Sequence, residues 1–435
     1  MAPFRVLIAG GSVVGLTLAN ALEKAGIDYL VLEKRDIAPP VGASISVLCH
    51  TARVFEQLGV WDRMYDSSLG LAHRQHFDEN GCLFEDSGLF ALITRITKRP
   101  FLFMERKFYL QCLYDNLEDK SKVRSRCGVQ DFVETDDGVT VITDTGETIY
   151  GSILIGADGV HSTVRQLMAN SAGTASKTAK SMIEGFTTNY KALFGTSNNH
   201  CANDPERSFL PNGMVHNVYY RNVSGVAAAG APDRVFWFLF VKLESPSLMP
   251  NCLRFTEADI KTTLREYGDR RLGSGYTFND LWAARIGGGM VPMEEGVLML
   301  PWNNERRTLL MGDSVAKSTV NVGLGGNTAV EGIVTFMNEL VPLLKRYPPG
   351  TQPTAEDVVG LFDRYEAKHR PRADLCVKMS HYVTRYEAMD TWWLRIIRWL
   401  SPWIPEGLKA KGFLDFMAPA PIFRFLPDPD KKHSG

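Results

Sequence analysis

"VLIAGGSVVGLTLANALEKAGIDYLVLEKR", residues 6–35, reads as an apolar strand, a glycine turn, a helix and a second apolar strand. A strand running straight into a glycine turn and a helix start aims backbone N–H groups and the positive helix end at one spot, where a pyrophosphate can sit. The spacing places the helix over 12–25, with Gly26 as its stop. Gly10 makes the tight turn, Gly15 lets helix and strand approach, and Ser12 stands at the middle position of G-x-G-x-x-G. Serine is small enough to leave the backbone approachable, and its hydroxyl can donate to a phosphate. Glu33, at the end of the second strand, is placed to accept from an adenosine ribose.

The rest of the composition is that of an ordinary globular chain. Its 435 residues are 45% hydrophobic and 22% charged, and 48 Lys and Arg against 49 Asp and Glu leave a formal charge of −1. No basic field exists to gather the phosphates of a nucleic acid, so no nucleic-acid partner is expected. Seven widely spaced cysteines without a CxxC pair point to a reducing compartment, with neither a disulfide frame nor a metal site. Arg5 and the apolar run after it have the outline of a cleaved leader, but cleavage would remove the glycine loop. The expected location is intracellular, cytoplasmic or peripherally membrane-associated.

Further along, "TARVFEQLGVWDRM" (51–64) and "KFYLQCLYDNLED" (107–119) have helical periodicity, and "VTVITDTGETIYGSILIGADG" (139–159) reads as a hairpin feeding a buried strand that opens onto Asp158. From about 176 to 285 the pattern is β-rich, with "RVFWFLFVKL" (234–243) the most apolar segment. "RRTLLMGDS" (306–314) returns to the first style, followed by a glycine-rich turn and a helix to about Arg346. "YPPGTQPTAED" (347–357) links to a C-terminal helical region.

These segments together resemble class A flavin-dependent monooxygenases of the para-hydroxybenzoate hydroxylase type, and more closely the fungal enzymes that epoxidise prenyl chains of meroterpenoids and indole diterpenes. "GGSVVGLTLANALEKAG" (10–26) is similar to their glycine loop and "GASIS" (42–46) to their flavin-contacting turn, which implies Ser46 and Val47 beside the cofactor. "ERKFYLQCLYDNL" (105–117) carries their arginine as Arg106, and "GADGVHSTVR" (156–165) is their second motif, with Asp158. In "GDSVAKSTVNVGLGGNTAVEG" (312–332), Asp313 corresponds to the residue that faces the ribityl chain, and Gly325–Gly326 to the turn that approaches the isoalloxazine.

The implied fold is α/β: a Rossmann-type FAD-binding domain (1–175, with a β excursion near 70–100, and 286–346), an inserted β-sheet substrate domain (176–285) and a C-terminal helical region (355–435). The implied activity is FAD-dependent epoxidation or hydroxylation of a prenylated or terpenoid intermediate with NAD(P)H and O2. The chain departs from the third motif at Ala316, Val320, Leu324 and Gly332, where histidine, proline, glutamine and an acidic residue are usual. That motivates an alternative, a flavin-bound cyclase or isomerase that uses no oxygen. Lys191, standing for a family arginine, and Tyr219 (or its neighbour Tyr220) are the expected catalytic residues. Phe194, Trp282 and the 234–243 segment are the expected substrate lining. The segment "TWWLRIIRWLSPWIPEGLKAKGFLDF" (391–416) is too broken to span a bilayer and reads either as a membrane-interfacial helix or as a flap on the protein.

Overall fold

The structure is a computed structural model that describes residues 4–39, 44–171, 182, 184–201, 204–348 and 350–433. Gly42 and Ala43 of the "GASIS" segment, and the expected boundary near 175, lie outside the described residues.

A five-stranded sheet in the order Thr308–Leu310, Ile153–Gly156, Arg5–Ala9, Asp28–Glu33, Val123–Ser125 carries the glycine loop. All of its pairings are parallel, and its three central strands are near-continuous apolar runs because both faces are covered. The helix Val13–Lys24 starts at Ser12 and stops before Gly26, whose φ is +67°. Where one helix is expected over 51–64 there are two, Cys49–Leu58 and Trp61–Asp66, because Gly59 turns left-handed at φ +79° and ends the first.

The second layer is an eight-stranded sheet in the order Ala316–Lys317, Arg285–Val297, Thr187–Asn198, Arg234–Leu248, Val223–Ala231, Met214–Tyr220, His73–Phe77, Leu83–Ser87. It takes strands from both sides of the expected 176–285 segment. The excursion near 70–100 pairs onto Met214–Tyr220, and Arg285–Val297 runs along Thr187–Asn198 before the chain returns to the parallel sheet. Alternation marks a strand but not its neighbour, so these recruits are invisible to periodicity.

The central strands of this sheet are buried on both faces. Along its longest strand, Val235, Trp237, Leu239 and Val241 join one cluster, covered by the helices Glu257–Tyr267 and Phe278–Ala283, while Phe238 and Phe240 join another on the opposite face, toward the glycine loop. The helix Leu324–Leu344 packs along Ala355–Glu387, and Gly332 permits the approach: a Cβ there would meet the His369 ring at 2.7 Å. The acidic residue usual at 332 would collide with that ring. Leu324, in place of glutamine, is buried in a cluster with Cys49, Phe101 and Ala410. Two of the four departures thus have packing reasons.

Candidate active site

One cavity of about 740 Å³ runs between the two layers, bounded at one end by the glycine turns and at the other by the large sheet and the C-terminal helices. Gly10 sits at φ +106° with the backbone of Ala157 and Asp158 against it, so that a Cβ would lie 2.5 Å from the Ala157 carbonyl oxygen. A Cβ on Gly15 would lie 1.8 Å from the Gly10 carbonyl oxygen, which is why helix and strand can close to form the turn. Gly15 itself lies behind the cavity wall.

The expected cofactor residues mostly converge on this wall: Gly10, Ser12, Glu33, Ser46, Arg106, Asp158, Asp313, Gly325 and Gly326 all line it. Val47 does not; its side chain is fully buried in the core because alternation along Ser44–Val47 turns it inward. Glu33 accepts from the N–H of Gly11 at 2.7 Å and of Arg35 at 2.8 Å, so the carboxylate is braced at the loop. Asp158 accepts from Ser162 Oγ and from the N–H of Thr163 and Val164, capping the helix that follows. Asp313 pairs with Lys317, which also lines the cavity. Burial works against the Lys317 ammonium, but Asp313 keeps its pKa above the ordinary value.

Arg106 opens the helix Arg106–Asp115 and donates to Ser12 Oγ at 2.6 Å. Burial holds its pKa below the ordinary arginine value, only partly offset by Asp313 and Glu33. The serine at the middle glycine position therefore grips a half-buried guanidinium at the mouth of the glycine loop. A cradle of glycines with no room for a Cβ, next to a half-buried cation with one side-chain partner among the described residues, fits a dinucleotide pyrophosphate.

The far end takes its wall from segments distant in the chain. Phe103, Val226, Phe238, Phe240 and Phe413 give it an apolar surface. Of the expected aromatic lining, Phe238 and Phe240 of the 234–243 segment face the cavity, while Trp282 packs on the opposite side of the sheet.

Neither expected catalytic residue reaches the cavity. Lys191 points to the other face of its strand, and its Nζ donates to Thr263 Oγ1 at 3.0 Å. The period of two sends Tyr190 and Ala192 toward the cavity side and Lys191 away. Tyr219 is buried near the end of its strand, its hydroxyl 2.8 Å from His76 Nδ1 and its ring against Phe84 and Tyr386; Tyr220 donates to the Arg271 carbonyl.

Sequence reasoning missed Asn327, whose side chain ties Leu48, Ser46 and Gly323 together and so joins the 44–47 strand to the flavin turn. It also missed Arg74, Asn217, Asn321 and Glu387, which line the far end. Asn321 and Asn327 lay within a quoted motif; Arg74, Asn217 and Glu387 carry no local pattern.

The FAD binding domain family matches residues 4–203. The FAD-dependent monooxygenase nodM of Hypoxylon pulicicidum is 33% identical over 436 residues, covering 99% of this chain and 91% of that protein. The FAD-dependent monooxygenase spyC of Aspergillus fumigatus is 32% identical, covering 98% and 88%. Among solved structures, Klebsiella pneumoniae HpxO complexed with FAD and uric acid matches with a TM-score of 0.74 at 20% identity, over 96% of this chain and 97% of that one. CtdE in complex with FAD and substrate 4 matches with a TM-score of 0.71 at 16% identity, over 88% and 90%. At such identities the two structures speak to the fold alone.

Proposed function

This chain belongs to the FAD-dependent monooxygenases, and from that premise we propose that it oxygenates, by epoxidation or hydroxylation, an apolar prenylated or terpenoid intermediate of secondary metabolism, with NAD(P)H as reductant. The observation that carries this reading is one continuous cavity that joins the glycine-turn end to a chamber walled by phenylalanines. Such a shape lets an apolar chain reach a cofactor ring while water is kept out.

In this reading Glu33 binds the ribose, Ser12 and Arg106 the pyrophosphate side, and Asp313 the ribityl chain. Gly325 and Gly326, in the first turn of Leu324–Leu344, and Ser46 border the ring. Gly10, Gly15 and Asp158 shape the loop, and Val47 can contribute only backbone. Bound FAD supplies the redox and oxygen chemistry; the residues named here bind and orient it. The large sheet serves as the substrate domain. Lys191 and Tyr219 have no part in it.

The test uses purified holoenzyme. NAD(P)H should bleach its yellow colour anaerobically, O2 should restore it, and the product of a prenylated substrate should gain one oxygen by mass spectrometry. An enzyme-dependent product of unchanged mass would favour the cyclase or isomerase instead.

The C-terminal segment supports a second part of the proposal, contact with a membrane surface. The helix Glu406–Met417 packs inward, with Phe413 on the cavity wall, and acts as a flap. The helix Trp392–Leu400 and the turn after it face outward: Trp392, Trp399 and Trp403 are 71%, 66% and 77% exposed, with Arg395 and Arg398 interleaved. No helix among the described residues is long and apolar enough to cross a membrane. Tryptophans beside arginines suit a bilayer interface. Co-sedimentation with anionic vesicles should occur and should fall sharply in Trp399→Ser/Trp403→Ser.

A further inference from the structure

The substrate end of the cavity is apolar except where Arg74, Asn217, Asn321 and Glu387 meet in its wall. They come from four separate segments: a strand of the excursion, a central strand of the large sheet, the flavin turn and the last residue of the long helix Ala355–Glu387. Glu387 is 3% exposed and accepts from Arg74 Nη2 at 3.3 Å, Asn217 Nδ2 at 3.2 Å and Asn321 Nδ2 at 2.6 Å. Arg74 also donates through Nε to Asn217 Oδ1 at 2.8 Å. Thr384 Oγ1 bonds Asn321 Oδ1, completing the set.

Taking an ion pair out of water into such a chamber is costly, and a hydrophobic pair would fill the space at less expense. Burial pushes the Glu387 pKa up despite Arg74, which is the strain expected of a charge kept in an apolar wall. The carboxylate has its donors. The guanidinium does not have all its acceptors: it carries five N–H groups, and those beyond the Asn217 and Glu387 bonds have no partner among the described residues, on a side chain 26% exposed at the cavity.

Because Glu387 already balances the charge of Arg74, the unmet need is for a neutral acceptor. We infer that Arg74, held by Glu387 and Asn217, is a polar anchor that binds a ketone, lactone or similar neutral oxygen on an otherwise apolar substrate. Asn321 links this anchor to the flavin turn, so it sets which end of the substrate is presented for oxidation. This inference rests on reading the chamber as the substrate site.

The experiment titrates the FAD-loaded protein, without NAD(P)H, with farnesyl-substituted acetophenone, farnesylbenzene and farnesyl-substituted benzoate, following the visible spectrum of the bound flavin. Wild type should bind the ketone about tenfold or more tighter than the hydrocarbon, the worth of one hydrogen bond to a charged donor. Arg74→Met should bring the two within about twofold by weakening the ketone alone. Glu387→Gln leaves Arg74 uncompensated, so the benzoate should overtake the ketone, a reversal that a merely structural ion pair does not produce.

Circular dichroism and flavin content qualify each variant, and if Arg74→Met loses FAD the Glu387→Gln reversal decides alone. Equal binding of ketone and hydrocarbon by wild type, binding of neither, or no reversal in Glu387→Gln overturns the anchor. Turnover plays no part in these readings, so a product that gains no oxygen would refute the monooxygenase proposal while leaving them intact.

Discussion

The two ends of the cavity are built on opposite plans. The glycine-turn end, where we propose the cofactor, is made largely of backbone: glycine turns where a Cβ would strike a carbonyl oxygen, helix starts, and acids braced by main-chain N–H groups. The far end, where we propose the substrate, is made of side chains delivered from strands and helices far apart in the chain. Backbone sites need particular residues in a contiguous order, so they read as motifs; side-chain sites need only that the topology brings the right groups together. A change at the first end should therefore abolish the site, and a change at the second should alter what it accepts.

The largest effect expected is at the turn itself. Gly10→Val places a branched Cβ within about 2.5 Å of the Ala157 carbonyl at a left-handed φ, and the protein should purify essentially without FAD, measured as flavin absorbance per chain. Retention of full colour would break the comparison at its stronger end. Next is Arg106→Ala, which removes a half-buried cation from the loop mouth and should weaken FAD retention by about tenfold to a hundredfold while circular dichroism stays unchanged.

A third prediction concerns the seam that holds the flavin turn's helix to the C-terminal region. Glu331 is bound by Arg372 through Nε at 2.7 Å and Nη2 at 2.9 Å, and His50 Nε2 lies 3.1 Å away. Burial alone would raise its pKa, but the close approach of His50 and the hydrogen bonds from Arg372 bring it down to about 2. A carboxyl lowered on folding stabilises the protein fully above its unfolded value near 4.5 and loses that contribution as pH falls toward 2. The wild-type advantage over Glu331→Gln should be about 3 kcal/mol at neutral pH, in urea unfolding, and shrink through that window. An advantage independent of pH across the window would refute the assignment.

The smallest effect sharpens the comparison from the other side. Lys191→Met and Tyr219→Phe remove polar groups that face away from the cavity or lie outside it, so kcat/KM should stay within about twofold and stability within about 1 kcal/mol. A collapse of turnover with the fold intact would return these residues to the site.

By itself, the sequence determined the order of strand, glycine turn and helix, with Glu33 at the end of the second strand, because that run's spacing is dictated by backbone geometry; Arg106 and Asp313 were legible only through the family resemblance, and the structure brings all three to one cavity wall. It also carried the change from helical to β patterning that announces the large sheet. Tertiary structure alone decided which face each strand shows to the cavity. In "NYKALFGTS" the alternation is masked because both faces are buried, and a step of one residue moves Lys191 to the wrong side. The same reason hid Trp282 on the far side, the recruitment of His73–Phe77 onto Met214–Tyr220, and Glu387 at the end of a long helix. Arg74 and Glu387 stand 313 positions apart, and only the pairing of that strand and the packing of that helix against the sheet put a guanidinium fork and a carboxylate into one apolar wall.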